Sequence, residues 1–315
     1  MRAGFLAAMA VLAVAWPLSG AEKRASLEKK PVPKKASKTP AAPARKAVPK
    51  PAVKPKVGKG TQKPELPAKG NPSPPLSPYS SVNGLGMKFV RIGALEVCIW
   101  PVRVRDFAVF ARASGHGAAP RAGFAQTADH PVVNVTWKDA VNFCEWLTES
   151  ERVAGRLPAG REYRLPTDRE WSLLVGLGEE AGATPEARDL SVRDVYPWGL
   201  GWPPPSGAGN FAGEESGLDA WIPGYRDDYP NTAPVGSFAP NAAGIFDIAG
   251  NVSQWCRDQW NQKSRDRVLR GSSWFNGAIP LSLLASLRVR ASGEMAGDSI
   301  GFCVVIAPVG ASAPK

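Results

Sequence analysis

Four cysteines (Cys98, Cys144, Cys256, Cys303) and two histidines (His116, His130) are all the thiol and imidazole groups in this 315-residue chain. Thiols can bridge, exchange electrons or, as thiolates, hold soft metal ions. Four are too few for a disulfide-dense mini-domain; they suit one or two bridges in a larger one, with three possible pairings. The residues alone admit structural bridges, buried free thiols or a reactive pair. Two histidines exclude a His-rich metal centre. His130 sits in His130-Pro131-Val132-Val133 and reads as a packed, hydrogen-bonded structural residue. His116 lies in the turn Gly115-His116-Gly117 and is expected to face solvent.

The elements that must position these groups are short. Residues 86–92 and 95–100 read as strands, being apolar, β-branched runs bounded by turn residues. Residues 102–110 lead into a first helix. A second is capped by Thr136, with Ala140, Phe143, Cys144 and Leu147 forming one apolar face at i, i+3, i+4 and i+7. Thr167 followed by Glu170 is a capping box that starts another helical turn. From Tyr196 onward the pattern has no helical period, only turns and short strands. The reading is an α+β domain with much irregular backbone. Long loops of this kind need partners for their polar groups, and bound cations are one solution.

The chain carries 39 Lys+Arg against 28 Asp+Glu, a net +11, but the excess is local. Residues 22–78 hold 15 Lys/Arg, three Glu and 13 of the 31 prolines, with no aromatic residue. The remaining 237 residues from Tyr79 carry 23 basic and 25 acidic groups. A basic nucleic-acid-reading fold is therefore excluded as the default, and no nucleic-acid partner is expected. Residues 22–78 read as a disordered Lys/Pro/Ala-rich tether. It serves either as a soluble spacer or as an electrostatic hold on anionic lipid, cell-wall polymer or outer-leaflet glycolipid. Residues 1–21, with Arg2, the apolar run Gly4 to Leu18 and Ser19-Gly20-Ala21, read as a signal peptide. Ala21 stands where a lipoprotein would need cysteine. The protein is thus expected to be exported: periplasmic, associated with the outer envelope, or secreted. The globular domain is assigned to residues 79–315.

Nine blocks in that domain carry a family resemblance. They begin with His130-Pro131-Val132-Val133-Asn134-Val135-Thr136-Trp137, Asp139-Ala140 with Phe143-Cys144, and Arg164-Leu165-Pro166-Thr167-Asp168-Arg169-Glu170-Trp171. Tyr196-Pro197-Trp198-Gly199, Gly209-Asn210-Phe211 and Thr232-Ala233-Pro234-Val235-Gly236 follow. Gly250-Asn251-Val252-Ser253-Gln254-Trp255, Arg270-Gly271-Ser272-Ser273-Trp274 and Asp298-Ser299-Ile300-Gly301-Phe302 complete the main series. In this order and spacing the chain resembles the formylglycine-generating enzyme (sulfatase-modifying factor) superfamily over nearly all of residues 86–306. The resemblance implies a C-type-lectin-like α+β fold with small mixed sheets, two main helices and extensive loops.

The resemblance also implies where chemistry would sit. Relatives that oxidise a cysteine to formylglycine bind copper through two cysteines, two and seven residues after the aromatic of the Arg-Gly-Ser-Ser-Trp block. Here those positions are Asn276 and Leu281, so copper is not expected and no catalytic residue is assigned. Iron is not expected either, because the helical His-rich domain of the iron-using branch is absent. Calcium is expected as a structural ion. Its first set comprises Asn210, the Phe211 carbonyl, Asp227 and the Tyr229 carbonyl. Its second set comprises Asp247, the Gly250 and Val252 carbonyls, and Gln254. Because relatives carry Glu where Gln254 stands, the second set is the weaker or empty one. Arg270, Ser273, Trp274, Asn276 and Arg288 are implied to line a ligand groove, with Trp198, Trp202, Trp221 and Arg290 in or near it. Cys98–Cys303 is the favoured bridge, since the first and last strands of this fold neighbour one another. The function implied is a non-catalytic pseudoenzyme module that binds a protein segment or glycan at the envelope. The alternatives are an oxidoreductase of the same type with different active-site residues, acting on a protein or small substrate, and a purely structural envelope protein.

Overall fold

The computed structural model describes residues 79–310. The expected signal peptide and tether lie outside the described residues, as do the last five residues of the expected domain. In chain order the elements are β1 (Ser81–Val82), β2 (Lys88–Ile92), β3 (Leu95–Cys98), α1 (Val104–Ser114), α2 (Trp137–Val153) and β4 (Arg161–Arg164). Then come α3 (Asp168–Val175), α4 (Pro185–Arg188), β5 (Val195–Tyr196) and β6 (Gly199–Leu200). The second half adds β7 (Ser253–Gln259), β8 (Arg267–Arg270), β9 (Arg288–Ala291), β10 (Ile300–Gly301) and β11 (Val305–Pro308). One sheet runs β1-β2-β3-β11-β4 and another runs β10-β7-β8-β9, with β5 and β6 as a separate ribbon. Few helices, small mixed sheets and long loops make this the α+β fold that the sequence implies.

Local chemistry sets the helix starts. Thr136 accepts from Asp139 N while the Asp139 carboxylate reaches back to Thr136 N, and Thr167 and Glu170 repeat the exchange at α3. Each box satisfies two backbone donors that the first helical turn leaves unpaired. The buried face of α2 includes Ala140, Phe143, Cys144 and Leu147, as its periodicity predicts. Phe143 stacks on Phe107 of α1 at 5.9 Å and meets Phe302 edge-on at 5.4 Å. Full burial of each such ring is worth about 2–3 kcal/mol. A second cluster, with Trp171, Leu174, Ile248, Cys256 and Val305 among its members, packs α3 against both larger sheets.

The expected Cys98–Cys303 bridge is not formed. β3 and β11 are indeed neighbours, with Val97 opposite Val305. All four cysteines are nevertheless free and buried. The Cys303 thiol lies 3.4 Å from the Cys98 carbonyl and 3.7 Å from that of Trp100, so main-chain oxygens satisfy it. Burial raises the pKa of Cys98, Cys144 and Cys256, which keeps them protonated and unreactive. A thiol-reactive dye is therefore expected to label the native protein slowly and to count four thiols after unfolding without reductant. A count two lower would show a bridge.

Candidate functional site

β8 ends at Arg270 and runs straight into the Gly271-Ser272-Ser273-Trp274 turn. Asn276 Oδ1 accepts from Ser273 N at 2.8 Å and from Ser273 Oγ at 2.9 Å. The Trp274 indole N–H donates to the Asp298 carbonyl at 3.0 Å. The first copper position is thus occupied by an amide whose oxygen closes a turn. At the second, Leu281 exposes 47 % of its surface. Neither side chain can act as a thiolate ligand, and all four cysteines are buried on other segments.

Ser273 and Asn276 meet in one turn that also carries Trp274, whereas Arg270 and Arg288 do not join them. These two arginines are 0 % and 2 % exposed and point into the interior, so they cannot line an open groove. Their partner is Asp168, the first residue of α3. Asp168 Oδ1 receives Arg288 Nε at 2.9 Å and also Arg270 Nη1. Its Oδ2 receives Arg188 Nη2 at 2.7 Å. Arg288 also pairs with Glu180 at 2.6 Å, and Arg270 lies 4.2 Å from the centroid of the Trp171 ring. Burial alone would raise the Asp168 pKa, but Arg270, Arg288 and Arg188 hold it below the ordinary carboxylate range. Arg290 stays outside, paired with Asp266.

The first oxygen set fits a hard cation. Asn210 is fully buried, and its Nδ2 donates to the Asn231 carbonyl at 2.8 Å. That bond turns Oδ1 the other way, where it has no hydrogen-bond partner. Asp227 accepts from Phe211 N at 2.8 Å and Tyr229 N at 2.9 Å. Beside it lies Glu215, which the sequence reading missed. Glu215 Oε1 accepts from Asp227 N at 2.9 Å, and Oε2 is buried without a partner. Burial and the adjacent Glu215 push the Asp227 pKa up to about 7. Two carboxylates and an amide oxygen, two of these oxygens buried without a partner, are hard donors of the type that Ca²⁺ takes. No group of three His, Cys, Asp or Glu side chains forms a metal cluster among the described residues. The set therefore depends on amide and carbonyl oxygens to complete it.

The second set is poorer. Gln254 Oε1 is buried and unpartnered, but its Nε2 is committed to the Asp247 carbonyl at 2.8 Å. The Gly250 carbonyl already accepts from Val252 N at 2.7 Å. Asp247 is its single formal charge, and burial pushes its pKa up to about 6. A divalent ion has one carboxylate to bind there, so this set does not fit Ca²⁺ well. Asn251, in a left-handed conformation at φ 62°, braces both regions. Its side chain exchanges two 3.0 Å hydrogen bonds with the Ala233 backbone. His130 is buried with Nδ1 3.0 Å from Thr232 Oγ1, the structural role expected of it. The Asp298 carboxylate fixes the backbone at Gly123 N.

Residues 86–308 match the sulfatase-modifying factor enzyme 1-like domain. The chain belongs to that family. It is 33% identical over 142 residues to the formylglycine-generating enzyme of Thermomonospora curvata, covering 45% of this chain and 38% of that protein. It is 30% identical over 190 residues to the inactive C-alpha-formylglycine-generating enzyme 2 of Bos taurus, covering 59% of this chain and 53% of that one. The chain thus spans about half or less of these relatives' length. Among solved structures, PvdO from Pseudomonas aeruginosa superposes with a TM-score of 0.48 at 22% identity, covering 70% of this chain and 82% of that one. Sulfatase-modifying factor relatives therefore include both catalytic and inactive proteins, and this chain's residues must decide its own case.

Asp168→Asn is expected to destabilise the domain by about 3–5 kcal/mol, because it strands buried guanidinium groups. Thermal unfolding should shift down by on the order of 10 °C. Removing the exposed Glu149 partner of Arg152 should change stability by no more than about 0.5 kcal/mol. Calcium at about 100 times its dissociation constant is expected to stabilise the protein by roughly 2.7 kcal/mol. Asp227→Asn or Glu215→Gln should shrink that increment. Because protons compete for Asp227, calcium affinity should fall as pH drops below about 7. Thermal melts with calcium or chelator across that range check each point.

Proposed function

We propose that this protein is a non-catalytic binding module of the sulfatase-modifying factor family, with calcium holding its loops at Asn210, Asp227 and Glu215. The observation that carries the proposal is the pair Asn276 and Leu281. One closes a turn on Ser273, and the other is an exposed hydrocarbon, at the positions where copper thiolates would stand. Soft Cu(I) requires soft ligands, and buried protonated thiols elsewhere do not supply them. The retained fold, with an exposed apolar loop at Ile279 and Leu281, suits recognition better than redox chemistry. The N-terminal apolar run and the Lys/Pro-rich segment support export and tethering at the cell envelope, where the ligand would be a protein segment or glycan.

The test is to incubate the full chain with Cu(I), oxygen and a sulfatase-type cysteine peptide. The expected result is no aldehyde in the peptide by mass spectrometry and no copper–thiolate absorption band. Stoichiometric copper binding together with aldehyde formation would overturn the proposal in favour of an oxidoreductase.

A further inference from the structure

The chain contains two Asn-Gly dipeptides, Asn83-Gly84 and Asn276-Gly277. In such a pair the glycine nitrogen can attack the asparagine side-chain amide, because glycine has no Cβ to obstruct the approach and its backbone turns freely. Two features of a fold govern that attack: whether the nitrogen is engaged, and what stabilises the charge that builds on the amide oxygen. At Asn276 both favour it. Oδ1 receives Ser273 N at 2.8 Å and Ser273 Oγ at 2.9 Å, two fixed donors on the atom that becomes negative when its carbon is attacked. Gly277 N has no hydrogen-bond partner among the described residues. Gly277 is buried against Ala220, where an orphan N–H is costly. Attack turns that nitrogen into an imide nitrogen without hydrogen, so it removes an unpaired donor instead of breaking a bond. Asn276 itself is half-buried, and its departing nitrogen faces no partner that holds it.

Asn83 supplies the contrast. Its Oδ1 also accepts two N–H groups, those of Leu85 and Met87, at 3.0 Å each. Gly84 N, however, donates to both oxygens of Glu151 at 3.2 and 3.3 Å. That carboxylate is fixed in turn by Arg156 at 2.7 and 2.9 Å. We propose that Asn276 is a site of spontaneous deamidation in the folded protein and that Asn83 is protected. Gly277 N forms a bond to Asn276 Cγ, the bond from Cγ to Nδ2 breaks, and ammonia leaves with the proton of Gly277 N. Water then adds to one carbonyl of the five-membered imide and reopens it, giving aspartate or isoaspartate; no oxidant or other reactant enters. Aspartate keeps the acceptor for Ser273 and adds one negative charge to the loop that carries the exposed Ile279 and Leu281. Isoaspartate lengthens the main chain beside Gly277, where Ala220 leaves no room for a side chain.

The experiment is peptide mapping by mass spectrometry of the full chain after timed incubation at mildly alkaline pH, both native and in guanidinium chloride. In denaturant the two dipeptides should convert at similar rates, because only their local sequence then matters. In the native chain Asn276 is expected to convert at least as fast as it does in denaturant. Native Asn83 should convert at least about tenfold more slowly than Asn276, since a hydrogen bond to a carboxylate must first be broken at Gly84 N. Ser273→Ala, which removes the Oγ donor and keeps the Ser273 N–H, should slow native conversion of Asn276 by about tenfold and leave the rate in denaturant unchanged. Asn276→Asp provides the standard for the aspartate product, and a second product of equal mass is the isoaspartate form. An Asn276 that stays intact in the native chain while converting in denaturant would overturn the proposal, and so would a native Asn83 that keeps pace with Asn276. Neither comparison depends on how a variant folds. An undiminished native rate in a folded Ser273→Ala protein would equally count against it.

Discussion

One carboxylate organises the second half of this molecule. Asp168 opens α3 and collects Arg188 from α4, Arg270 from the end of β8 and Arg288 from the start of β9. Four elements far apart in sequence are thereby fixed to one point. Glu180 and the Arg188 and Ser286 carbonyls take further donors of Arg288, and Ser172 bridges the two guanidiniums. Removing such charges from water offsets most of what their attraction provides, so the arrangement adds little net stability over an apolar core of equal volume. What it does add is a penalty on every alternative. Sliding β8 by one residue would turn Arg270 to the other face and leave Asp168 short of a partner in a dry interior.

The candidate site inherits its position from that point. Arg270 is the last residue of β8, and the next six residues form the turn closed by Asn276 on Ser273. The loop beyond is pinned to the segment carrying the cation set: Ala212 N donates to the Asn276 carbonyl, and Ala278 N donates to Ala220 O, each at 2.9 Å. Gly277 sits so close to Ala220 that a side chain there has no room. An ion bound by Asn210, Asp227 and Glu215 would therefore brace the same loop that carries Asn276 and Leu281, by way of these two hydrogen bonds. The oxygen set around Asp227 and the turn closed by Asn276 are thus joined through backbone hydrogen bonds even though they share no side chain.

What the sequence made legible was local. Thr136 with Asp139 and Thr167 with Glu170 announce helix starts, because a capping box needs only residues three apart. The apolar face of α2 follows from its own period. Arg270 and Arg288 could not be read the same way. Arginine beside a groove motif suggests a ligand contact, and the partner that buries both lies 102 and 120 residues away in sequence. The bridge between Cys98 and Cys303 failed on a finer scale. Strand adjacency was legible and the two thiols do meet, but they remain free, with Cys303 also held by the Cys98 and Trp100 carbonyls, and strand order does not specify that outcome. Glu215 shows the same limit. The chain offers Glu214 and Glu215 side by side, and the short turn at Glu214–Ser216 decides that the second faces Asp227.

Fold and chemistry are separable here because they rest on different atoms. Copper thiolates would sit on a loop whose backbone is already closed by Asn276, Ala212 and Ala220, so nothing in the packing requires cysteine at either position. Replacing the first by an amide gives Ser273 a cap, and replacing the second by leucine leaves an exposed apolar side chain; neither disturbs the Asp168 cluster or the aromatic core. The reverse does not hold. No single substitution at Asp168 avoids stranding charge, so the cluster constrains the scaffold whatever the turn at Ser273 does. A cleft lined from Leu173 to Ala249 is tied to the same turn, because Gly250 N, next to that lining, donates to the Ser272 carbonyl at 2.9 Å.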